Sequence, residues 1–213
     1  MKRLEAQLEE IGVDSRETLQ RLAVYEHLLR LWQAKTNLVA NNTLDRFWDR
    51  HVGDSLQCLD LRRDEVAWVD LGSGGGFPGM VIAIACAASG WETTHTLIEA
   101  NQKKCAFLRT VARETNSPCR IVNERIESAS KQLKAERFGT ITARALAPLA
   151  ELLRLARPMM KPGTVALFHK GREFEREIEE CRGLWSFDLV IHKSRIESGS
   201  VLLEITNPVA NPA

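Results

Sequence analysis

The hydrophobic pattern of the chain changes period near residue 60. Upstream, Leu19, Leu22, Tyr25, Leu29 and Trp32 recur at roughly helical spacing, and Asp14-x-x-Glu17 ahead of them has the form of a capping box. A polar break at 37–43 separates this helix from a shorter one predicted across Phe47, His51 and Leu56. No strand signal occurs in this zone, so residues 1–60 read as an N-terminal helical extension. From Val66 onward, short apolar runs alternate with amphipathic segments, which is the pattern of βαβ units around a mainly parallel sheet. Strands are expected at 66–71, 95–99, 119–123, 138–143, 164–169, 187–193 and 200–205. One helix, 102–115, places Cys105, Leu108, Val111 and Ala112 on one face; another, 124–134, uses Ile126, Ala129 and Leu133. Pro148 suits the first turn of a helix running through Leu152, Leu153 and Ala156 to a stop near Pro158. Phe174, Ile178, Cys181 and Trp185 mark one more helix. The last two strands are too close for a helix between them and are expected to pair antiparallel. Residues 61–213 are therefore expected to form a single compact unit.

The exit of the first strand carries the most chemistry. The apolar run 66–69 leads into Asp70-Leu71-Gly72-Ser73-Gly74-Gly75-Gly76-Phe77-Pro78-Gly79, and the apolar run Met80 to Ala88 follows. Strand, glycine turn and helix bring backbone close to a nucleotide-like ligand, because a Cβ would collide there and the next helix aims free N–H groups at an anion. Two fingerprints overlap. Gly74, Gly76 and Gly79 satisfy G-x-G-x-x-G, with Glu99 about twenty residues on to hold ribose hydroxyls, as in dinucleotide sites. Gly72, Gly74 and Gly76 satisfy G-x-G-x-G after an acidic strand end, as in the S-adenosylmethionine (SAM) loop of Rossmann-like methyltransferases. Spacing alone does not choose between them. Pro78 weighs against the dinucleotide, since it removes a backbone N–H where a pyrophosphate wants donors.

Composition narrows the class without assigning it. A chain of 213 residues fits one domain with a short extension, and 44% hydrophobic with 27% charged residues is ordinary for a globular protein. The longest apolar run is too short for a membrane span, and residues 1–5 have no signal-peptide core, so a cytoplasmic protein without a membrane partner is expected. Five cysteines lie scattered with no C-x-x-C pair, and His27, His95, His169 and His192 lack ligand spacing; neither disulfides nor a metal site is expected. A net charge of +1 means that any nucleic-acid contact rests on a local patch rather than on bulk charge.

Several separated segments together resemble one family, the bacterial 16S rRNA (guanine-N7)-methyltransferases called RsmG or GidB. The loop Asp70 to Gly79, with its G-F-P-G ending, is similar to the family signature. His51-x-x-Asp54-Ser55-Leu56 resembles its H-x-x-D-S-L element, and Asn37-Leu38 its N-L-T segment with Val39 in place of threonine. Glu99-Ala100-Asn101-Gln102-Lys103-Lys104 resembles its acidic strand end. Ala143-Arg144-Ala145 resembles S-R-A with Ala143 in place of serine, and Lys170-Gly171 its K-G pair.

That resemblance implies an α/β fold of the Rossmann-like class I SAM-dependent methyltransferase type. Its sheet would have seven strands, mostly parallel, with an antiparallel C-terminal hairpin. It implies S-adenosyl-L-methionine as cofactor and methyl transfer to N7 of a guanine in the decoding-region loop of 16S rRNA. The RNA would be held within the small ribosomal subunit or its precursor, and the enzyme would act as a monomer. N7 carries a lone pair and no hydrogen, so the transfer needs no general base and no catalytic residue is assigned. Gly72, Gly74 and Phe77 would contact the cofactor in the first loop, Glu99 its ribose, Ile126 and Glu127 its adenine, and Arg144 would lie beside it. His51, Asp54 and Lys170 are assigned to the RNA side. Plainer readings stand beside these: packing after a turn for Phe77, a helix start for Ile126-Glu127, a local capping network for His51, Asp54 and Ser55. Lys103, Lys104, Arg109 and Arg113 would form a basic helix face. Two other functions compete, an NAD-dependent oxidoreductase supported by G-x-G-x-x-G and Glu99, and a SAM-binding RNA module without transfer activity.

Overall fold

The computed structural model describes residues 2–212. Three helices precede the sheet: α1 (Lys2–Ile11), α2 (Ser15–Gln33) and α3 (Asp54–Leu61). Asp14 caps α2 by accepting from the Glu17 backbone N–H at 2.9 Å. The box closes on one side only, because the Asp14 N–H donates to Ser89 Oγ at 2.8 Å and so ties the cap to the rest of the fold. The stretch expected as one short helix around Phe47 is three joined pieces. A 3-10 segment (Asn41–Arg46) runs into a wide π-type turn (Phe47–Gly53), which runs into α3.

The remaining chain alternates as the apolar runs predict. Its elements are β1 (Ala67–Leu71), α4 (Gly79–Ala88), β2 (Thr94–Ile98), α5 (Gln102–Glu114), β3 (Arg120–Val122) and α6 (Ile126–Leu133), then β4 (Thr140–Arg144), α7 (Leu149–Ala156), β5 (Val165–Lys170), α8 (Phe174–Arg182), β6 (Trp185–Lys193) and β7 (Val201–Ala210). The seven strands lie in the order β3-β2-β1-β4-β5-β7-β6. The first five are parallel, and β7 runs antiparallel to both β5 and β6. This is the expected sheet and the expected hairpin. The last strand runs past its expected end at 205, to Ala210, and one residue changes element type. Trp185 opens β6, paired with Ala210, instead of ending α8, because the helix stops at Gly183 and the strand begins two residues later.

Alternation across the sheet builds two apolar layers. Trp68, Leu97, Leu167 and Leu202 face a layer formed with α4, α5 and the N-terminal helices, in which Leu22, Tyr25 and Leu29 are fully buried. Their neighbours Val69, Ile98, Phe168 and Leu203 face a second layer, with α6, α7 and α8. The N-terminal helices thus share a core with the sheet. Their burial holds α2 and the 37–53 segment against the carboxyl ends of β1 and β2, where open α/β sheets place their ligands.

Candidate active site

The loop after β1 is shaped by backbone that only glycine adopts freely. Gly72, Gly74 and Gly76 have φ of 62°, 55° and 98°. At Gly76 a Cβ would sit 2.5 Å from the Tyr25 hydroxyl and 2.9 Å from Met80 Cβ, so the loop and α2 touch through a bare Cα. Tyr25 also donates its hydroxyl to the Gly75 carbonyl, and its ring stacks on Phe77 with centroids 5.4 Å apart. His51 stacks on the same Phe77 at 4.5 Å. From the other strand, Glu99 fastens the loop. One carboxylate oxygen accepts from the Gly74 N–H at 2.9 Å and the other from the Asn101 N–H at 2.7 Å.

Residues 72–75 of the loop, with Phe77, His51 and Glu99, line a cleft of about 640 Å³, a size usual for cofactor sites. Ile126, Glu127 and Leu155 border it, as do Gly72, Phe77 and Arg144. Its lip, Leu38 to Ala40, is held from the end of α2 by Gln33. The Gln33 amide oxygen accepts from the N–H groups of Leu38 and Val39 at 3.0 and 3.1 Å, and its nitrogen donates to Val39 O and Asn41 Oδ1, both at 2.8 Å. Tyr25 and Gln33 are site residues that the sequence reading missed. Their helical spacing marks them only as members of α2, and nothing local shows that this helix rests on the glycine loop.

Asp70 lies under the loop, fully buried. Its Oδ1 accepts from Thr142 Oγ1 at 2.7 Å, while Oδ2 has no hydrogen-bond partner. Burial raises its pKa from 3.8 to about 6, against the hydroxyls of Thr142 and Ser73, which favour the charged form. The folded protein therefore binds this proton more tightly than the unfolded chain. The associated stability is complete below about pH 4 and disappears as pH rises through about 6. Asp70→Asn should remove that dependence. Relative to the parent protein, the variant's unfolding free energy should climb between pH 4 and pH 6 and then level off, as read by urea denaturation at several pH values. A constant difference across that window would contradict the shift.

His51 is buried, and together with the cations of Arg144 and Arg50 burial lowers its pKa to about 3, so the ring is neutral. Its Nε2 lies 3.0 Å from Thr43 Oγ1, whose own proton goes to Ala40 O at 2.8 Å. Nε2 therefore carries the hydrogen and donates, leaving Nδ1 as a bare acceptor with no partner. Arg144 ends β4 beneath this ring. Its Nη2 is 3.7 Å from Asp54 Oδ2, and its buried Nη1 has no partner. Burial lowers its pKa, opposed by the Asp54 charge. Asp54 is itself held by Gln57 and Ser194, each 2.9 Å from Oδ1. His51, Asp54 and Arg144 are thus one connected wall beside Phe77. Lys170 is placed otherwise. It is buried, with Nζ 2.5 Å from Glu177 and 3.0 Å from the Ala147 carbonyl, so its charge is compensated inside the fold rather than standing free on the surface. Cys86, Cys105 and Cys181 are free and buried.

The architecture is that of known methyltransferases. An O-methyltransferase from Bacillus cereus in complex with SAH superposes with a TM-score of 0.58 at 15% identity, covering 87% of this chain and 91% of that one. A methyltransferase from Geobacter sulfurreducens gives 0.56 at 14% identity, covering 87% of each chain. These likenesses define a Rossmann-like fold, and membership of a family of SAM-dependent methyltransferases supplies the activity class. Within that class the chain belongs to the GidB family, rRNA small subunit methyltransferase G, whose model matches residues 18–201. A Ribosomal RNA small subunit methyltransferase G from Brucella ovis is 46% identical over 91% of this chain and 89% of its own length. One from Rhizobium leguminosarum bv. trifolii is 47% identical over 91% and 94%. The nicotinamide and non-catalytic alternatives are set aside by this membership.

Proposed function

We propose that this protein transfers the SAM methyl group to N7 of a guanine in the decoding-region loop of 16S rRNA. The RNA is presented within the small ribosomal subunit or its precursor, and the enzyme acts as a cytoplasmic monomer. Methylation of small-subunit rRNA follows from family membership. The single observation that supports the site assignment is the clamp between Glu99 and the Gly74 N–H, which seats a carboxylate at the mouth of a side-chain-poor loop. In this reading residues 1–60 are an extension that closes the cleft of one methyltransferase unit, 61–213.

The residues fit the cofactor by their chemistry. Glu99 keeps lone pairs free for ribose hydroxyls, Ile126 offers an apolar face to the adenine, and Glu127 offers an acceptor for its exocyclic amine. Gly72 and Gly74 allow close backbone approach, while Phe77, braced by Tyr25 and His51, gives a rigid apolar wall. Arg144 also borders the cleft, and Asp70 Oδ2 is an unspent acceptor behind the loop. When bound, SAM supplies an electrophilic methyl on a sulfonium. The leaving sulfur would keep the carbon–sulfur pair while N7 supplies the pair for its new bond, so no residue of the cleft would have to take a proton. Charge passes to the purine without being created, and no proton moves. The protein's contribution is orientation in a pocket poor in water, worth roughly 7–11 kcal/mol for well-placed reactants.

Two measurements test this. Labelled methyl from SAM should enter 16S rRNA of unmodified small subunits, and borohydride–aniline cleavage should map it to N7 of one guanine; label elsewhere would refute the position. The single-turnover rate should also be level from about pH 6.5 to 8.5, since His51 titrates near 3 and no base is needed. An inflection near neutrality, abolished by one substitution, would show a general base at work.

A further inference from the structure

A second cavity, of about 440 Å³, adjoins the cofactor cleft. The two share Arg50, Arg144 and the stretch Ala145 to Ala147 as a common wall. Beyond that wall the second cavity is bordered by Asp54, Leu152 and His169. Its position along the cleft is informative. Ile126, Glu127 and Leu155 mark the adenine end of the proposed cofactor site, Glu99 the ribose, and Gly72 the opposite end. Leu146 of the shared wall lies against Gly72, where an added Cβ would come within 2.5 Å of its Cδ1, so in the proposed cofactor pose the wall stands at the end that carries the reactive methyl. The cavity bordered by Lys131, Lys134 and Lys161 opens instead beside Glu127 and Leu155, at the adenine end, and cannot hold an acceptor.

The wall also holds an unsatisfied donor. The Arg144 side chain borders both cavities; its Nη1 is enclosed without a hydrogen-bond partner, and its Nη2 is 3.7 Å from Asp54 Oδ2, beyond hydrogen-bond distance. A guanidinium with no hydrogen-bonded partner at a cavity wall is a donor that an arriving ligand can satisfy. On guanine, the atom beside N7 is the O6 acceptor, whereas adenine carries an amino donor there. An arginine at this wall can hold O6 and leave N7 free for attack. It would meet the adenine amino group donor against donor. Asp54, itself fixed by Gln57 and Ser194, offsets the guanidinium charge next to a purine that becomes cationic.

We propose that this second cavity receives the flipped acceptor guanine and that Arg144 selects it by donating to O6. The inference rests on guanine N7 being the methyl acceptor. Extrusion of a target base into a pocket is the usual solution when chemistry must reach it inside folded nucleic acid.

The test uses small subunits reconstituted with 16S rRNA altered at the target position. Inosine keeps N7 and O6 and lacks the 2-amino group; 2-aminopurine keeps N7 and lacks O6. With the unmutated enzyme, single-turnover methylation of inosine should stay within about threefold of guanine, and 2-aminopurine should fall at least about 30-fold, the cost of an unpaired buried charged donor. In Arg144→Gln and Arg144→Lys, the guanine rate should drop while the guanine-to-2-aminopurine ratio collapses below about fivefold, with SAM affinity by calorimetry reduced less than the rate. A preserved ratio in these variants, with the loss confined to SAM affinity or to RNA affinity, would overturn the assignment in favour of a cofactor or phosphate contact. Equal methylation of guanine and 2-aminopurine by the unmutated enzyme would overturn it without any variant. If guanine itself gains no N7 methyl, the underlying reaction fails instead, and the two failures are told apart by that first control.

Discussion

Replacing Gly76 with alanine should abolish measurable SAM binding and destabilise the protein by about 2–5 kcal/mol. Two independent effects add. The backbone there has φ of 98°, a region disfavoured for any residue with a Cβ. The new methyl would also press on Tyr25 Oη, Met80 Cβ and Leu108 Cδ2 at 2.5, 2.9 and 3.1 Å, in a core with no void to absorb it. The Tyr25 contact makes the damage functional as well as structural. That ring stacks on Phe77 and its hydroxyl fastens Gly75, so any retreat of Tyr25 moves the loop. Gly90→Ala is the matched control, because Gly90 has φ of 67° and open space around it. It should lose only the backbone contribution, about 1–2 kcal/mol, and keep full SAM affinity. Urea denaturation and calorimetric titration of both variants decide the matter; equal effects at the two positions would show that strain alone, and not the contact with α2, governs the loop.

Glu99→Gln should weaken SAM binding about 100-fold, or roughly 2.7 kcal/mol, with a smaller change in unfolding free energy. Both carboxylate oxygens already accept backbone N–H groups, from Gly74 and Asn101. An amide keeps one acceptor and turns a donor toward one of those N–H groups, so the loop loses its anchor while the proposed ribose contact loses its charge. Bonds to charged acceptors are worth about 1.5–3 kcal/mol each, and the folded protein retains the rest of its core. In steady-state kinetics the KM for SAM should rise and that for the small subunit should stay level. A matching rise in both would assign Glu99 to folding and not to the cofactor.

The glycine loop, the seven strands and the C-terminal hairpin were legible because each depends on local chemistry. Short apolar runs, glycines in a row after an acidic strand end, and a gap too short for a helix all act within a few residues. Boundaries slipped where two local preferences met. Trp185 continues the apolar stripe of α8, but Gly183 ends the helix and the sheet takes the aromatic. The segment 41–61 was harder, since its 3-10, π and α turns differ by one residue in repeat, and Phe47 is buried from the π-type turn but Leu56 from α3.

Side-chain roles divided along a different line. Lys170 reads as an exposed phosphate contact beside Gly171, yet Glu177, seven residues on, folds back to neutralise it. His51 and Asp54 read as a helical pair, and only the fold sets one against Phe77 and the other against Arg144, ninety residues later in the chain.

The amino-acid order alone determined which strand exits in a glycine bend, which acidic residue follows on the next strand, and hence that the domain has the layout for a nucleotide-like ligand. Those properties are set by backbone sterics and by spacing along one βαβ unit. Tertiary structure decided how the wall opposite that bend is built, through Tyr25 and Gln33 on α2, His51 in the π-type turn and Arg144 at the end of β4. Burial and pairing of such groups depend on what the rest of the chain brings within a few ångströms, and no local pattern encodes that distance.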